Sequence, residues 1–336
     1  MKDRINVVQI GVGHDHAPMV MNAMRSHPEV FNVLGYAITE GEGLTENSKA
    51  PYKGLKRYKA EDALALPGLD AAVIETNDYS LGKYALMAAE KGLHVHMDKQ
   101  GGYDLPVFEK LIATVKAKNL VFSTGYMYRY NPLVIDALDK VKRGELGEIY
   151  SVEAQMNCLH VRAKRKWLDQ YKGGMTFFLG CHLVDLIYTI QGEPQDVIPL
   201  NLATEQGVGE DFGMAVFKYP RGYSFLKTTA VEDGGFMRRQ LVINGSKGTI
   251  EIRPLERFIE NGMQNATTRY VTLSDCEKDG WGADGTTVTS EPFHRYAPMM
   301  IRFAEAIKGE ATLPATPDYE LALYKVMMRA CGYEIK

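Results

Sequence analysis

The chain has no long apolar run, no concentrated charge of either sign and no paired cysteines, and each absence removes a class of protein. No stretch approaches the roughly 18 apolar residues of a membrane span, so no membrane partner is expected. Cys158, Cys181, Cys276 and Cys331 lie far apart with no C-x-x-C pair. That argues against a disulfide framework or a structural zinc site, and a reducing compartment is the simplest setting. Lysine and arginine number 39 against 42 acidic residues, a net charge of -3 spread along the chain. The densest basic run, Arg162, Lys164, Arg165 and Lys166, is short. It reads as a solvated loop or a local anionic contact, and nucleic acid is not expected as a partner. Met1-Lys2-Asp3-Arg4 leads at once into a strand with no signal peptide before it, so a cytoplasmic location is expected. There is no internal repeat and no low-complexity segment.

What is present is glycine and alternation. Glycine numbers 32, roughly 10% against a usual figure of about 7%, which suits tight turns and close backbone approaches. At 336 residues there is room for two domains. In the first third, strand patterns at Ile5–Ile10, Val30–Ile38, Ala71–Ile74, Leu93–Met97 and Leu120–Thr124 alternate with helical ones. The helices fall at Ala17–Ser26, around Tyr84–Ala89 up to Gly92, and at Pro106–Lys118. Strand–helix alternation implies parallel pairing with right-handed crossovers, the α/β doubly wound dinucleotide (Rossmann) fold.

The pattern then changes. Glu148–Met156, Gly213–Tyr219, Tyr223–Val231, Arg239–Asn244 and Gly248–Ile252 read as strands on short turns, which implies antiparallel pairing. Helices are expected at Cys181–Gln191, Ala297–Lys308 and Tyr319–Cys331, and a long loop at Asp275–Pro292. The expected division is a Rossmann domain over 1–124 and an α+β domain with an open, mostly antiparallel sheet over 125–336.

The first strand runs into Gly11-Val12-Gly13-His14-Asp15-His16, a G-x-G-x-x-G pattern whose third glycine is His16. Gly11 and Gly13 let backbone approach a pyrophosphate at the helix N-terminus, and His14 is a candidate for contact with cofactor phosphate. Glu40, after the second strand, is expected to accept the ribose hydroxyls and repel a 2′-phosphate, or else to be an ordinary loop residue. On this basis NAD is favoured over NADP. Thr76 and Asn77, after the third strand, touch the nicotinamide ribose or cap the next helix with Asp78. His14, Asp15 and His16 show no further ligand at recognisable spacing, so no metal is expected, and Asp15 reads as an N-terminal helix residue. Lys99 closely follows the fourth strand, where doubly wound sheets bind ligands. It reads as a group for binding a substrate hydroxyl or as a surface lysine.

His94-Val95-His96-Met97-Asp98-Lys99-Gln100 resembles the "HVxxEKP" segment of the Gfo/Idh/MocA (glucose–fructose oxidoreductase, inositol dehydrogenase, rhizopine catabolism) family. Gly125-Tyr126-Met127-Tyr128-Arg129-Tyr130-Asn131-Pro132 is similar to its "GxxxRxxP" stretch, and Gly144–Ile149 to its "GxIGxI". Trp167, Gly173-Gly174 and Leu179-Gly180-Cys181-His182-Leu183-Val184-Asp185 resemble "W…GGG…DxGxHxxD", and Phe303–Gly309 its C-terminal helix. The segments occur in order along essentially the whole chain.

The resemblance implies a Rossmann domain followed by an open-sheet domain, a nicotinamide cofactor and chemistry at a sugar or polyol carbon. It implies catalytic roles for Lys99 and His182 and places Asp98 beside the cofactor. The aspartate expected four residues before His182 is Phe178, and Asp98 and Gln100 replace the glutamate and proline around the lysine. His182, with an ordinary pKa near 6.5, suits proton removal from a hydroxyl, and Lys99 suits stabilising the developing alkoxide. Asp185, one helical turn after His182, would orient its ring or be a solvated carboxylate. Arg129 would face the cleft or bridge the domains. Tyr126, Tyr128, His160 and Trp167 are candidate substrate contacts or packing.

The expected activity is hydride transfer between NAD and a small-molecule sugar, polyol or related hydroxy compound. Two alternatives stand beside it: glycoside cleavage through transient oxidation, and NAD binding by a regulatory protein without catalysis. Assembly as a homodimer or homotetramer through the C-terminal sheet is expected.

Overall fold

The strand Ile5–Ile10 (β1) is mostly apolar, with Asn6 on one face and Gln9 on the other, and both faces are covered, as in a parallel sheet flanked by helices. In the computed structural model, which describes residues 4–260 and 264–335, β1 is the middle of a six-stranded sheet. Residues 1–3 and 336, the outer limits of the two expected domains, lie outside the described residues. The other strands are Phe31–Ala37 (β2), Arg57–Tyr58 (β3), Ala71–Ile74 (β4), His94–Met97 (β5) and Phe122–Thr124 (β6). Their order is β3-β2-β1-β4-β5-β6, with every pairing parallel. This is the doubly wound order, in which the strand sequence reverses between β1 and β4 and ligands bind at the carboxyl ends. The helices Ala17–Arg25 (α1), Ala60–Ala63 (α2), Leu81–Glu90 (α3) and Leu105–Ala117 (α4) carry the crossovers. β4 is buried at all four residues, and each fully buried valine or isoleucine contributes about 1.5–3 kcal/mol.

The second sheet has eight strands: Ile149–Asn157 (β7), Asp196–Pro199 (β8), Phe212–Tyr219 (β9), Gly222–Thr229 (β10), Gln240–Gly245 (β11), Gly248–Ile252 (β12), and then Thr267–Thr272 and Thr286–Thr289. A small separate ribbon, Arg257–Phe258 (β13) with Gln264–Asn265 (β14), precedes the last two, which become β15 and β16. The order is β16-β15-β12-β11-β7-β10-β9-β8. All pairs are antiparallel except β7 with β10, so the sheet is mixed and mostly antiparallel. β9 alternates buried and partly exposed residues, the mark of a sheet with one covered face. The remaining helices are Pro132–Lys142 (α5), Arg162–Trp167 (α6), Cys181–Gln191 (α7), Leu273–Asp279 (α8), Ala297–Lys308 (α9) and Pro317–Ala330 (α10).

The stretch expected as a long loop at 275–292 is instead mostly regular. Thr272 and Asp275 form a reciprocal capping box that starts α8, and Thr286–Thr289 pairs with β15 as an edge strand. Packing divides the chain into two units. The first runs to Met127 and includes Arg295–Tyr324; the second is Tyr128–His294 with the residues from Lys325 onward. Within the first unit, Thr124 Oγ1 donates to Glu320 at 2.7 Å, and the Tyr324 ring stacks on Phe108 with centroids 4.3 Å apart. Among the described residues no helix is long and apolar enough to cross a membrane.

Candidate active site

In the first unit, Gly11 leaves β1 with φ +92°, and a Cβ there would lie 2.4 Å from the Thr76 amide nitrogen. Only glycine lets the turn pass the loop that follows β4. At Gly13 a Cβ would meet a Glu42 carboxylate oxygen at 2.8 Å and the Asn77 nitrogen at 2.9 Å. α1 begins only at Ala17, with His16 at the position before it and Pro18 in its first turn. Asp15 therefore lies exposed in the turn ahead of the helix, not inside its first turn.

Glu40, the expected ribose acceptor, has an exposed side chain; its backbone carbonyl accepts from Asn77 Nδ2 at 3.5 Å. The carboxylate that reaches the glycine turn is that of Glu42. It accepts the backbone N–H groups of Val12 at 2.9 Å, Thr39 at 3.0 Å and Asn77 at 2.8 Å. Sequence reading missed it because it lies five residues past the end of β2. The available signal was a second acidic residue in the same glycine-containing loop. Thr76 is buried, and its hydroxyl donates to the Asn77 carbonyl.

Behind the turn lies a buried polar cluster. Asp98, fully buried after β5, sets one carboxylate oxygen 3.1 Å from His14 Nδ1 and 3.1 Å from His16 Nδ1. Its other oxygen accepts the Lys99 backbone N–H at 2.6 Å. His14 Nε2 lies 3.5 Å from Asp78, which also receives Gln100 Nε2 at 3.5 Å. Lys99 is 1% exposed, which removes the surface-lysine alternative.

The charges of this cluster shape one another. Burial lowers the His14 pKa most strongly of any one cause, but the Asp98 and Asp78 carboxylates together outweigh it and raise the ring to about 9. For His16 burial wins over Asp98 and lowers it to about 4. Burial works against ionised Asp98, yet the two histidines hold it well below the carboxylate range. Glu75, buried beside it, is pushed well above that range by burial and by the Asp98 charge.

In the second unit, His182 is buried at the second residue of α7, directly after a π-helical turn at Thr176–Gly180. Such turns recur at functional sites. The Tyr128 ring meets His182 edge-on, with centroids 5.4 Å apart. The Tyr128 hydroxyl donates to Glu256 at 2.6 Å, and Arg239 donates to the same oxygen at 2.9 Å. Arg129 grips Asp185 with Nε at 2.9 and 3.1 Å and Nη2 at 2.7 Å. The Asp185 carboxylate is thus committed to a bidentate buried pair, and Arg129 spends its charge inside this unit. Phe178 belongs to a core cluster with Leu168, Met175 and Ala230, and Trp167 stands edge-on to it at 5.4 Å. Lys164 Nζ lies over both rings, at 3.7 Å from Trp167 and 4.4 Å from Phe178. The half-buried His160 ring is 6.2 Å from Phe178. Tyr126 is buried and belongs to the first unit.

A doubly wound sheet with a glycine turn, a buried lysine at a strand end and a separate mostly antiparallel sheet defines the architecture of two-domain dinucleotide-type proteins. Residues 134–251 match the family model described as the GFO/IDH/MocA C-terminal domain. An uncharacterized oxidoreductase of Schizosaccharomyces pombe is 26% identical over 54% of this chain and 49% of its own length, so the chain spans about half of that relative. The 2,7-anhydro-N-acetylneuraminate hydratase of Escherichia coli is 23% identical over 82% of this chain and 74% of its own. The fold also matches the WlbA dehydrogenase of Chromobacterium violaceum, solved with NADH and UDP-GlcNAcA. That match has a TM-score of 0.76 and 15% identity, covering 99% of this chain and 95% of the other. The resemblance carried by the motifs therefore holds: this chain is similar to the Gfo/Idh/MocA oxidoreductases.

Proposed function

We propose that the protein is a nicotinamide-dependent oxidoreductase acting on a sugar, polyol or related hydroxy compound. The observation that carries this reading is the burial of Lys99 at the carboxyl end of β5, on the sheet whose glycine turn has no room for a Cβ. The residues fit a dinucleotide. Gly11 and Gly13 leave the turn bare, and Thr76 and Asn77 border it. Glu42, held by three backbone amides, takes the ribose-binding role first given to Glu40. A fixed carboxylate there repels a 2′-phosphate, which favours NAD over NADP. The nicotinamide, when bound, accepts or returns the hydride. Lys99 donates a hydrogen bond to the substrate hydroxyl oxygen and stabilises it as it becomes an alkoxide; His182 is the proton acceptor that the family resemblance implies. Asp185 positions through Arg129 rather than acting on substrate.

Lys99→Met is expected to abolish turnover while NADH still binds. Steady-state kinetics across sugars, inositols and glycosides, with a fluorescence titration of NADH, test this; full activity in the variant removes the assignment. A second reading, transient oxidation with no net redox change, is favoured by the hydratase relative and by Phe178 where an aspartate is expected. Substrate conversion without NADH accumulation distinguishes it. NADH binding with no turnover across the panel would instead favour a regulatory protein. The expected homo-oligomer through the second sheet is tested by light scattering.

A further inference from the structure

We propose that His14, His16 and Asp98 form a binding site for a divalent transition-metal ion, independently of the redox reading. The ligand atoms of the three residues lie within 4.8 Å of one another, all buried. The two imidazole Nδ1 atoms converge on one Asp98 oxygen, each at 3.1 Å. A tetrahedral ion with bonds of about 2.0–2.1 Å has ligand–ligand edges of about 3.3 Å, close to both imidazole–Asp98 separations; the His16 backbone N–H, which donates to His14 Nδ1 at 3.2 Å, gives way when the ion binds. Spacing along the chain conceals the site, because Asp98 is 82 residues from His16.

The surroundings are those of a supported metal centre. Asp78 stands 3.5 Å from the far nitrogen of His14, a carboxylate behind a ligating imidazole, and Gln100 reaches the same Asp78 oxygen. The Lys99 N–H fixes the second Asp98 oxygen, which itself lies 3.2 Å from His16 Nδ1. Backbone bonds anchor the donors: His14 N–H to the Glu75 carbonyl at 3.1 Å and Asp98 N–H to the Ile74 carbonyl at 3.0 Å. Two imidazoles and one carboxylate suit zinc, cobalt, nickel or ferrous iron over magnesium or calcium. Three protein donors leave a position for a water or ligand oxygen. The His16 side chain, 10% exposed, is the donor nearest solvent.

The test is titration of chelator-treated protein with Co2+, followed by visible absorption, and with Zn2+ by equilibrium dialysis. One ion per chain and a tetrahedral Co2+ band are expected. His16→Ala should abolish the band with circular dichroism unchanged, and Asp78→Asn should weaken affinity about 10-fold. If His16→Ala does not fold, the Asp78→Asn shift carries the test. Wild-type protein that takes up neither ion, or variants that bind as wild type, overturn the proposal. NADH binding is measured on the same samples. Cofactor binding without metal uptake overturns this site and leaves the redox reading; metal uptake without cofactor binding does the reverse.

Discussion

The Arg129–Asp185 pair is the most exacting residue-level commitment in the second unit. Both side chains are buried, at 7% and 1% exposure, so removing one leaves an uncompensated charge. Asp185→Ala should cost about 3–5 kcal/mol, while an Arg129→Leu/Asp185→Leu double variant should recover much of it. Denaturant unfolding of the full cycle measures this; additive losses would show that the pair is not coupled. Thiols rank by environment in the same way. Burial pushes Cys158 up to about 11 and Cys331 well above the usual range, whereas Cys276 is exposed. Because the thiolate is the reactive form, alkylation at neutral pH should reach Cys276 first, with Cys158, Cys181 and Cys331 modified only after unfolding. Mass spectrometry of peptides checks the order. Lys99 was legible from its place after an apolar strand; the partners of Asp98 were not, since they come from the other side of the sheet's switch point.

At the scale of elements, local chemistry explains where helices begin. Asn131 caps α5, accepting from Leu133 at 3.0 Å and Val134 at 3.3 Å, and its amide donates to the Leu255 carbonyl at 2.7 Å. Loss of the cap costs about 1 kcal/mol and loss of a buried hydrogen bond about another, so Asn131→Ala should destabilise by about 2 kcal/mol in urea unfolding. The strands of the first sheet were legible because two-sided burial makes them continuous apolar runs. β3, only two residues long, carries no such signal. The parallel pairing of β7 with β10 joins strands some 70 residues apart and is set by register, which composition does not encode. The thread of Gly, Asp and Thr at 275–292 reads as loop by composition, yet a capping box and an edge pairing order it.

For the whole molecule, the decisive event is the return of Arg295–Tyr324 to the first unit. Tyr324 stacks on Phe108 and donates to the Gly102 carbonyl at 3.0 Å, Tyr296 packs 5.2 Å from His16, and Lys116 pairs with Asp318 at 2.6 Å. A chain ending at residue 294 should therefore lose protection around α4 and the glycine turn. Hydrogen exchange measures this, and wild-type protection in the shortened chain would refute it. The sequence by itself determined the alternating elements, the glycine turn and the lysine at a strand end, because these follow from periodicity and backbone sterics within a few residues. Only the tertiary structure decided that Glu42 rather than Glu40 reaches the turn, that Asp185 belongs to Arg129, and that two histidines share Asp98. Those choices rest on strand register and packing across tens of residues, where the burial of a charge compels it to find a partner and local sequence does not say which.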